Sequence, residues 1–174
     1  YPYTKKNILA RMHQAHTTLM AQLWQSRASG LPFNAPHEAV IMASIVEKET
    51  ALAAERTHVA AVFINRLKIK MPLQSDPTVI YGLFHQTGQP LGRSLTRADL
   101  KEPTPYNTYT IQGLPPGPIC HPGKYSLEAV LHPLESSDLY FVADGTGGHI
   151  FSQTYEEHKR RHAQWRIIRD QRLP

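Results

Sequence analysis

The stretch Ala43-Ser-Ile-Val-Glu-Lys-Glu-Thr50 places the carboxyl group of Glu49 on the apolar side of a predicted buried helix. Burial among apolar side chains favours the neutral form of a carboxyl group and so raises its pKa. A general acid must hold its proton near neutral pH, so Glu49 is the first candidate catalytic residue. Residues three and four positions away share its helix face, and all of these are apolar: Ile45, Val46, Leu52 and Ala53.

Glu47, two positions earlier, points to a different side of the same helix, so the two carboxylates cannot form a paired site by themselves. The surroundings of Glu47 are small and less apolar, and the spacing therefore favours Glu49 as the perturbed acid. The alternative is that Glu49 is a structural carboxylate, satisfied by an arginine or a backbone amide. The predicted neighbours of Glu47 are Ala43, Ser44, Thr50 and Ala51.

Length and composition fit one globular domain, or one large domain with a short appendage, since the 174 residues are 41% hydrophobic and 19% charged. No stretch approaches the ~18 apolar residues of a membrane-spanning helix, and no secretory signal is visible. The single cysteine, Cys120, excludes an intrachain disulfide and the usual cysteine-based zinc site. The chain begins at Tyr1 without a methionine, and we expect it to be part of a longer protein.

The apolar periodicity and the turn residues predict a mostly helical α+β domain with a small β-hairpin. We expect residues 1–35 to form an N-terminal helix and linker, and residues 36–174 to form the main domain. In the hairpin, a five-residue connection, 144–148, joins the two strands. The predicted helices cover about 7–25, 36–54, 57–68, 76–81, 94–99, 127–131 and 154–169, and the strands cover 139–143 and 149–152.

The formal charge of +5 could attract nucleic acid, anionic lipid or an acidic polymer. The densest basic cluster, Lys159-Arg160-Arg161, lies on the last predicted helix, and a solvated terminal helix explains it better than a nucleic-acid site does. His158 and His162 can share a face of this helix, but no glutamate follows the first histidine as in zinc proteases. We therefore predict that both lie at the surface, and we expect neither a metal site nor a cofactor.

Polar and aromatic residues are interleaved in two segments, one before a predicted helix and one in the Pro-rich loop 103–123. Sites for sugars combine flat aromatic surfaces with amide and carboxylate groups, which makes this set a candidate substrate site. The alternative is that the polar members make only turn hydrogen bonds and the tyrosines only fill the core. The candidate residues are Gln74, Ser75, Asp76, Tyr106, Asn107 and Tyr109.

Several segments, taken in order and with their spacing, resemble the endolytic murein transglycosylases of the MltG or YceG-like family. The resemblance covers nearly the whole chain from about Pro36 onward. The segments are 43–50, Val62-Phe-Ile-Asn-Arg-Leu67, Leu73-Gln-Ser-Asp-Pro-Thr-Val-Ile-Tyr-Gly82, Thr104-Pro-Tyr-Asn-Thr-Tyr-Thr110, Gly113-Leu-Pro-Pro-Gly-Pro118 and Leu139-Tyr-Phe-Val-Ala-Asp-Gly145.

This resemblance implies a lysozyme-like catalytic domain that cleaves MurNAc-β-1,4-GlcNAc bonds inside peptidoglycan strands and leaves 1,6-anhydro-MurNAc ends. The family's catalytic glutamate, the second of Glu-Lys-Glu, falls on Glu49 and acts first as acid and then as base. Gln74 and Asn107 resemble, loosely, polar groups that line the cleft of other lytic transglycosylases. With them, Tyr106 and Tyr109 would serve as platforms for sugar rings.

The same resemblance implies an N-terminal membrane anchor and a LysM-like subdomain, and we expect both to lie outside this sequence. The catalytic domain would then act at the bacterial inner membrane, facing the periplasm or the outside. There it would terminate nascent strands, with cell-wall synthases as expected partners. One alternative is a hydrolytic muramidase with Asp76 as second carboxylate. Another is a catalytically inactive glycan-binding or scaffold domain. No nucleic-acid partner is expected.

Overall fold

The fold is described from a computed structural model, which covers residues 4–172. Across these residues it has six α-helices and a two-stranded antiparallel sheet, which confirms the predicted α+β class. None of the helices within 4–172 is long and apolar enough to cross a membrane. The elements are α1 (Lys5–Gln25), α2 (Pro36–Glu49), α3 (Arg56–Lys68), α4 (Asp76–Thr87), α5 (Lys124–Leu131), β1 (Tyr140–Ala143), β2 (His149–Ser152) and α6 (Tyr155–Arg172).

Helix α2 is the centre of the molecule and packs against α3, α4 and α5. From Ile41 to Val46 every residue of this helix is buried, as expected for a helix that is apolar on all sides. Pro36 occupies its first turn, where the missing N–H of proline is tolerated. The largest fully buried side chains around α2 are Phe63, Met42, Ile45, Ile64, Leu73, Leu127 and Leu131.

The end of α2 corrects the predicted helix 36–54. The helix stops at Glu49, and Thr50 is extended, with φ −137° and ψ 133°. The Thr50 hydroxyl accepts a hydrogen bond from the backbone N–H of Leu52 at 3.1 Å, a local bond that competes with helix continuation. Leu52 is consequently 42% exposed, and it and Ala53 do not share a helix face with Glu49.

The predicted hairpin is confirmed: β1 and β2 pair antiparallel, with Tyr140 opposite Ser152 and Ala143 opposite His149. Their five-residue connection is organised by Asp144, whose Oδ1 accepts from the backbone N–H of Thr146 at 2.6 Å. Helix α6 then returns across the hairpin and packs against both strands. The hairpin and α6 thereby come to lie beside α3, close to the end of α2.

Four other predictions of helices were wrong, one of them the end of α6, which lies at Arg172 instead of residue 169. Helix α4 runs on to Thr87, six residues beyond the predicted end. In place of a helix over 94–99 there is a 3₁₀ turn, Asp99–Lys101, preceded by a reciprocal bond pair between Thr96 and Asp99. Helix α5 begins at Lys124 instead of residue 127, with Gly123 at its N-cap position, and the Ser126 hydroxyl donates to Glu47 instead of capping the helix.

Candidate active site

Glu49 lines a cleft of about 340 Å³, formed where the end of α2 meets the Pro-rich loop, the hairpin and three other helices. The volume falls in the range of small-molecule sites. The cleft combines two carboxylates, an arginine, two histidines and several aromatic or aliphatic side chains. The residues that line it are Glu49, Phe63, Arg66, Leu73, Gln74, Asp76, Tyr109, Phe141, Val142, His158 and His162.

Glu49 is mostly shielded from solvent, and this burial raises the pKa of its carboxyl group from 4.5 to about 7. A hydrogen bond donated by the Ser75 hydroxyl opposes the rise, and the nearby charge of Asp76 adds to it. The raised pKa agrees with the sequence prediction, although two of the four predicted neighbours, Leu52 and Ala53, are exposed and do not line the cleft. Apolar side chains from α3 and the hairpin, Phe63 and Phe141, line the cleft in place of Leu52 and Ala53.

Glu47 has the opposite character. Its carboxylate accepts hydrogen bonds from the Ser126 hydroxyl at 2.5 Å and from the backbone N–H of Gly123 at 3.1 Å. The Ser126 bond is the largest cause of a lowered pKa for Glu47, and burial opposes it. Glu47 therefore joins α2 to the start of α5 as a structural carboxylate, while Glu49 faces the cleft.

Hydrogen bonds to Thr108 hold the segment 74–75 in place. The backbone N–H of Ser75 donates to the Thr108 hydroxyl at 2.9 Å, and that hydroxyl lies 2.8 Å from the Thr78 hydroxyl. Gln74 donates its own N–H to the Thr108 carbonyl at 3.1 Å and has φ +52°, a left-handed conformation that costs roughly 1–3 kcal/mol for such a residue. This strained backbone turns Gln74 toward the cleft and Ser75 toward Glu49.

Asp76 and Tyr109 meet at the cleft. The Tyr109 hydroxyl donates to Asp76 Oδ1 at 2.6 Å, and burial, followed by this bond, raises the pKa of the tyrosine. The contact ties the Pro-rich loop to the first turn of α4. Four of the sequence-predicted residues, Gln74, Ser75, Asp76 and Tyr109, are thus gathered around Glu49.

Asn107 lies outside the cleft. It is fully buried, and its side-chain amide donates to the carbonyls of Leu100 at 3.1 Å and Glu102 at 2.8 Å. Its Oδ1 accepts from the backbone N–H of Tyr109 at 2.9 Å. These bonds shape the loop and set the position of Tyr109, so the sequence-based assignment of Asn107 to substrate contact is not carried forward.

Tyr106 also lies outside the cleft lining. Its ring packs edge-on against Tyr81, with centroids 4.7 Å apart, and is 5.3 Å from the ring of His85. It borders the hydrophobic core, which is the alternative that the sequence left open for the tyrosines. The phenyl and phenol rings that line the cleft are instead those of Phe63, Tyr109 and Phe141.

Arg66 and the two histidines of α6 are residues of the cleft that the sequence reasoning missed. His158 and His162 were expected at the surface; the packing of α6 on the hairpin brings them to the cleft instead, although His162 remains exposed. Their four-residue spacing was visible in the sequence. The position of α6 could not be read from the sequence, because it depends on how the helix packs against the hairpin.

A larger groove of about 1220 Å³ lies between α1, α2 and residues 120–122, but its lining is mainly apolar and includes no carboxylate among residues 4–172. It therefore offers no acid or base of the carboxyl type. Within the described part of the chain, no three histidine, cysteine or acidic side chains are arranged to hold a metal ion.

The model of the YceG-like family matches residues 2–164. The chain belongs to the YceG-like family. It is 46% identical over 124 residues to an endolytic murein transglycosylase of Bacillus subtilis (strain 168), covering 71% of this chain and 33% of that protein. It is 38% identical over 130 residues to the protein of the same name from Streptococcus pneumoniae (strain D39), covering 71% of this chain and 23% of that protein.

A solved structure shares the fold of this family member. The crystal structure of the yceG-like protein lmo1499 from Listeria monocytogenes superposes with a TM-score of 0.63 at 45% identity, over 72% of this chain and 38% of that one. The chain thus spans about a third or less of the length of the curated relatives it matches.

Proposed function

We propose that residues 36–174 form the catalytic domain of an endolytic murein transglycosylase, preceded by an N-terminal helix and linker in residues 1–35. The observation that carries the proposal is the carboxyl group of Glu49, which lines the cleft and whose pKa burial raises to about 7. The names of the Bacillus and Streptococcus relatives support the same substrate, peptidoglycan glycan strands. The bond cleaved is MurNAc-β-1,4-GlcNAc, within the strand.

In this mechanism Glu49 first donates its proton to the glycosidic oxygen as the bond from that oxygen to C1 of MurNAc breaks. The carboxylate then takes the proton of the sugar's own C6 hydroxyl, whose oxygen bonds to C1 and closes a 1,6-anhydro ring. A pKa near 7 suits both steps, because neither the acid nor the carboxylate form is strongly disfavoured at neutral pH. Glu49 ends protonated again, and no water is consumed.

The neighbouring groups have separate tasks in this scheme. The Ser75 hydroxyl donates to Glu49 and stabilises its carboxylate form between the two steps. Gln74, exposed and lining the cleft, hydrogen-bonds sugar hydroxyl or N-acetyl groups, and the half-buried Tyr109 ring packs against an apolar sugar face. Asp76 holds the Tyr109 hydroxyl and, by its charge, helps to keep Glu49 protonated.

Asp76 also supports a second candidate, a hydrolytic muramidase, because it supplies a second carboxylate in the cleft. The two reactions differ in product mass: an anhydro end is lighter than a hydrolysed reducing end by one water, ~18 Da. An inactive glycan-binding or scaffold domain is the remaining alternative. It requires that loss of the Glu49 carboxyl group leave function in cells intact.

The cellular setting is part of the proposal. An enzyme of this kind works outside the cytoplasm, at the bacterial inner membrane and facing the periplasm or the exterior, held by an N-terminal anchor in the longer protein. There it terminates nascent glycan strands beside cell-wall synthases. The names of the relatives support action on murein, and the anchor and the synthases rest on the family resemblance.

The test is digestion of purified peptidoglycan strands followed by mass analysis of the products. Wild-type protein should release fragments with 1,6-anhydro ends, and Glu49→Gln should release none. Glu47→Gln is the matched control, since it removes a carboxylate two residues away that is bonded to Ser126 and Gly123 instead of facing the cleft. Cleavage by Glu49→Gln at the wild-type rate would overturn the proposal.

A further inference from the structure

The wall of the cleft built from α3 and α6 carries three basic side chains, Arg66, His158 and His162, and the proposed mechanism uses none of them. They lie on two helices that are far apart in sequence and are brought together by the packing of α6 on the hairpin. The acidic groups of the same cleft are Glu49 and Asp76, and Asp76 already accepts the Tyr109 hydroxyl.

Arg66 is a buried cation, 7% exposed. Its Nε donates to the Leu139 carbonyl at 2.6 Å and one terminal nitrogen donates to the Leu73 carbonyl at 2.7 Å. Among the described residues, no carboxylate lies within ion-pair distance of it. The guanidinium lies 5.3 Å from the centroid of the Tyr140 ring and interacts electrostatically with Glu49, but no carboxylate is in direct contact with it, so an anion that enters the cleft would gain from this buried charge.

His158 offers a hydrogen-bond donor on the same wall. Its ring stacks on Tyr140, with centroids 5.1 Å apart and planes at 23°, and its Nδ1 is enclosed without a hydrogen-bond partner. Burial, followed by the nearby charges of His162 and Arg66, lowers the pKa of His158 and favours its neutral form. Because an enclosed N–H without an acceptor is rare, we assign the proton of this neutral ring to Nε2. His162, one turn further along α6 and exposed, has its ring centroid 6.2 Å from that of His158.

We propose that Arg66, His158 and His162 form a subsite for a carboxylate of the glycan substrate. This inference rests on the proposed function, and it makes the substituent on MurNAc a determinant of binding beside the sugar rings themselves. Two sources carry that chemistry: the carboxylates of a stem peptide, and the lactyl carboxylate that is freed when the peptide is removed. Repulsion by Asp76 and by ionised Glu49 restricts the carboxylate to the Arg66 side of the cleft.

The test measures equilibrium binding to the Glu49→Gln protein, so that bound strands stay intact. Four probes are compared: peptide-free strands with free lactyl carboxylates, peptide-bearing strands, and the methylamide derivative of each. We expect one of the free-carboxylate forms to bind about tenfold more tightly than its methylamide, as for one charge-assisted hydrogen bond. Preference for the peptide-free or the peptide-bearing form identifies the source.

Substitutions assign the preference to the wall. His162→Ala, at an exposed position, and His158→Ala should bring the ratio between free and methylamidated strands close to one, while His132→Gln, an exposed histidine beyond α5, keeps it. Thermal unfolding checks whether His158→Ala is folded. If His158→Ala does not fold, the binding ratio of His162→Ala alone tests the subsite.

Equal binding of free and methylamidated strands would overturn the subsite, as would a preference that survives both substitutions. If wild-type protein still makes Glu49-dependent anhydro ends, only the subsite fails. If no strand binds and no Glu49-dependent cleavage occurs, the proposed function fails together with it.

Discussion

Replacing Glu49 by glutamine should stabilise the protein at alkaline pH far more than at acid pH. The folded-state pKa of Glu49 is raised from 4.5 to about 7, chiefly by burial. Below pH 4.5 the group is protonated in both the folded and the unfolded state and does not oppose folding. As pH rises through this window the unfolded state loses its proton first, so the free energy of unfolding falls until both states are ionised.

The size of the effect follows from the two pKa values. One pKa unit corresponds to about 1.4 kcal/mol, so a rise from 4.5 to about 7 amounts to about 3 kcal/mol once the pH is well above 7. Glutamine has no proton to lose and can still accept the Ser75 hydrogen bond. The stability advantage of Glu49→Gln over wild type should therefore grow by about 3 kcal/mol between about pH 4.5 and about pH 8.

Urea unfolding, followed by tryptophan fluorescence at both pH values, measures this difference, and comparison of variant with wild type cancels the other titrating groups. Glu47→Gln is the control and should change in the opposite direction. The lowered pKa of Glu47 stabilises the fold above its ordinary titration range, so the variant loses stability relative to wild type as pH rises. A Glu49→Gln advantage that stays constant with pH would refute the buried, raised-pKa carboxyl group.

Three further predictions concern the scaffold around Glu49. Ser75→Ala removes the hydrogen bond that lowers the pKa of Glu49, so the pH at which kcat/KM falls should move up by about one unit in a pH–rate profile; an unmoved profile contradicts it. Thr108→Val leaves the buried Ser75 N–H without its acceptor, while the Thr78 hydroxyl keeps its bond to the Ser75 carbonyl, and should cost roughly 1–3 kcal/mol in urea unfolding; a change under about 0.5 kcal/mol would contradict a role of the Thr108 hydroxyl in fixing this segment. Asn107→Ala should lower the unfolding free energy by roughly 2–3 kcal/mol, and normal stability with reduced turnover would return Asn107 to the site.

Local signals predicted the elements that local chemistry decides. Helix α3 and strand β2 fall within a residue of the expected bounds, because apolar periodicity and glycine-rich turns act over a few positions. The end of α2 was not predicted because position 50 is a threonine, which interrupts helices less strongly than glycine or proline does. Its extended conformation is accompanied by one hydroxyl bond to Leu52 that the pattern does not reveal.

The candidate site was predictable only in part, for a related reason. Gln74, Ser75 and Asp76 lie together in sequence and reach Glu49 as a unit, held by Thr108. Asn107 has the polar character of a ligand contact, yet its amide is consumed by loop carbonyls, which only the folded loop shows.

The grouping of Arg66, His158 and His162 depends on the packing of α6 across the hairpin, so no local sequence pattern could predict it. Arg66 faces the cleft from α3 while its nitrogens bond carbonyls at 73 and 139. The spacing of His158 and His162 gave only a shared helix face, and the tertiary packing decided what that face meets.

The central claim is that Glu49 donates a proton to the glycosidic oxygen and then accepts one from the C6 hydroxyl of the sugar, whose oxygen attacks C1. Cleavage of glycan strands in water enriched in ¹⁸O tests it most directly, with mass analysis of the new MurNAc ends. The account predicts ends ~18 Da lighter than reducing ends, free of ¹⁸O, and absent with Glu49→Gln. One ¹⁸O atom in each new end, or unlabelled ends formed equally well by Glu49→Gln, would contradict it.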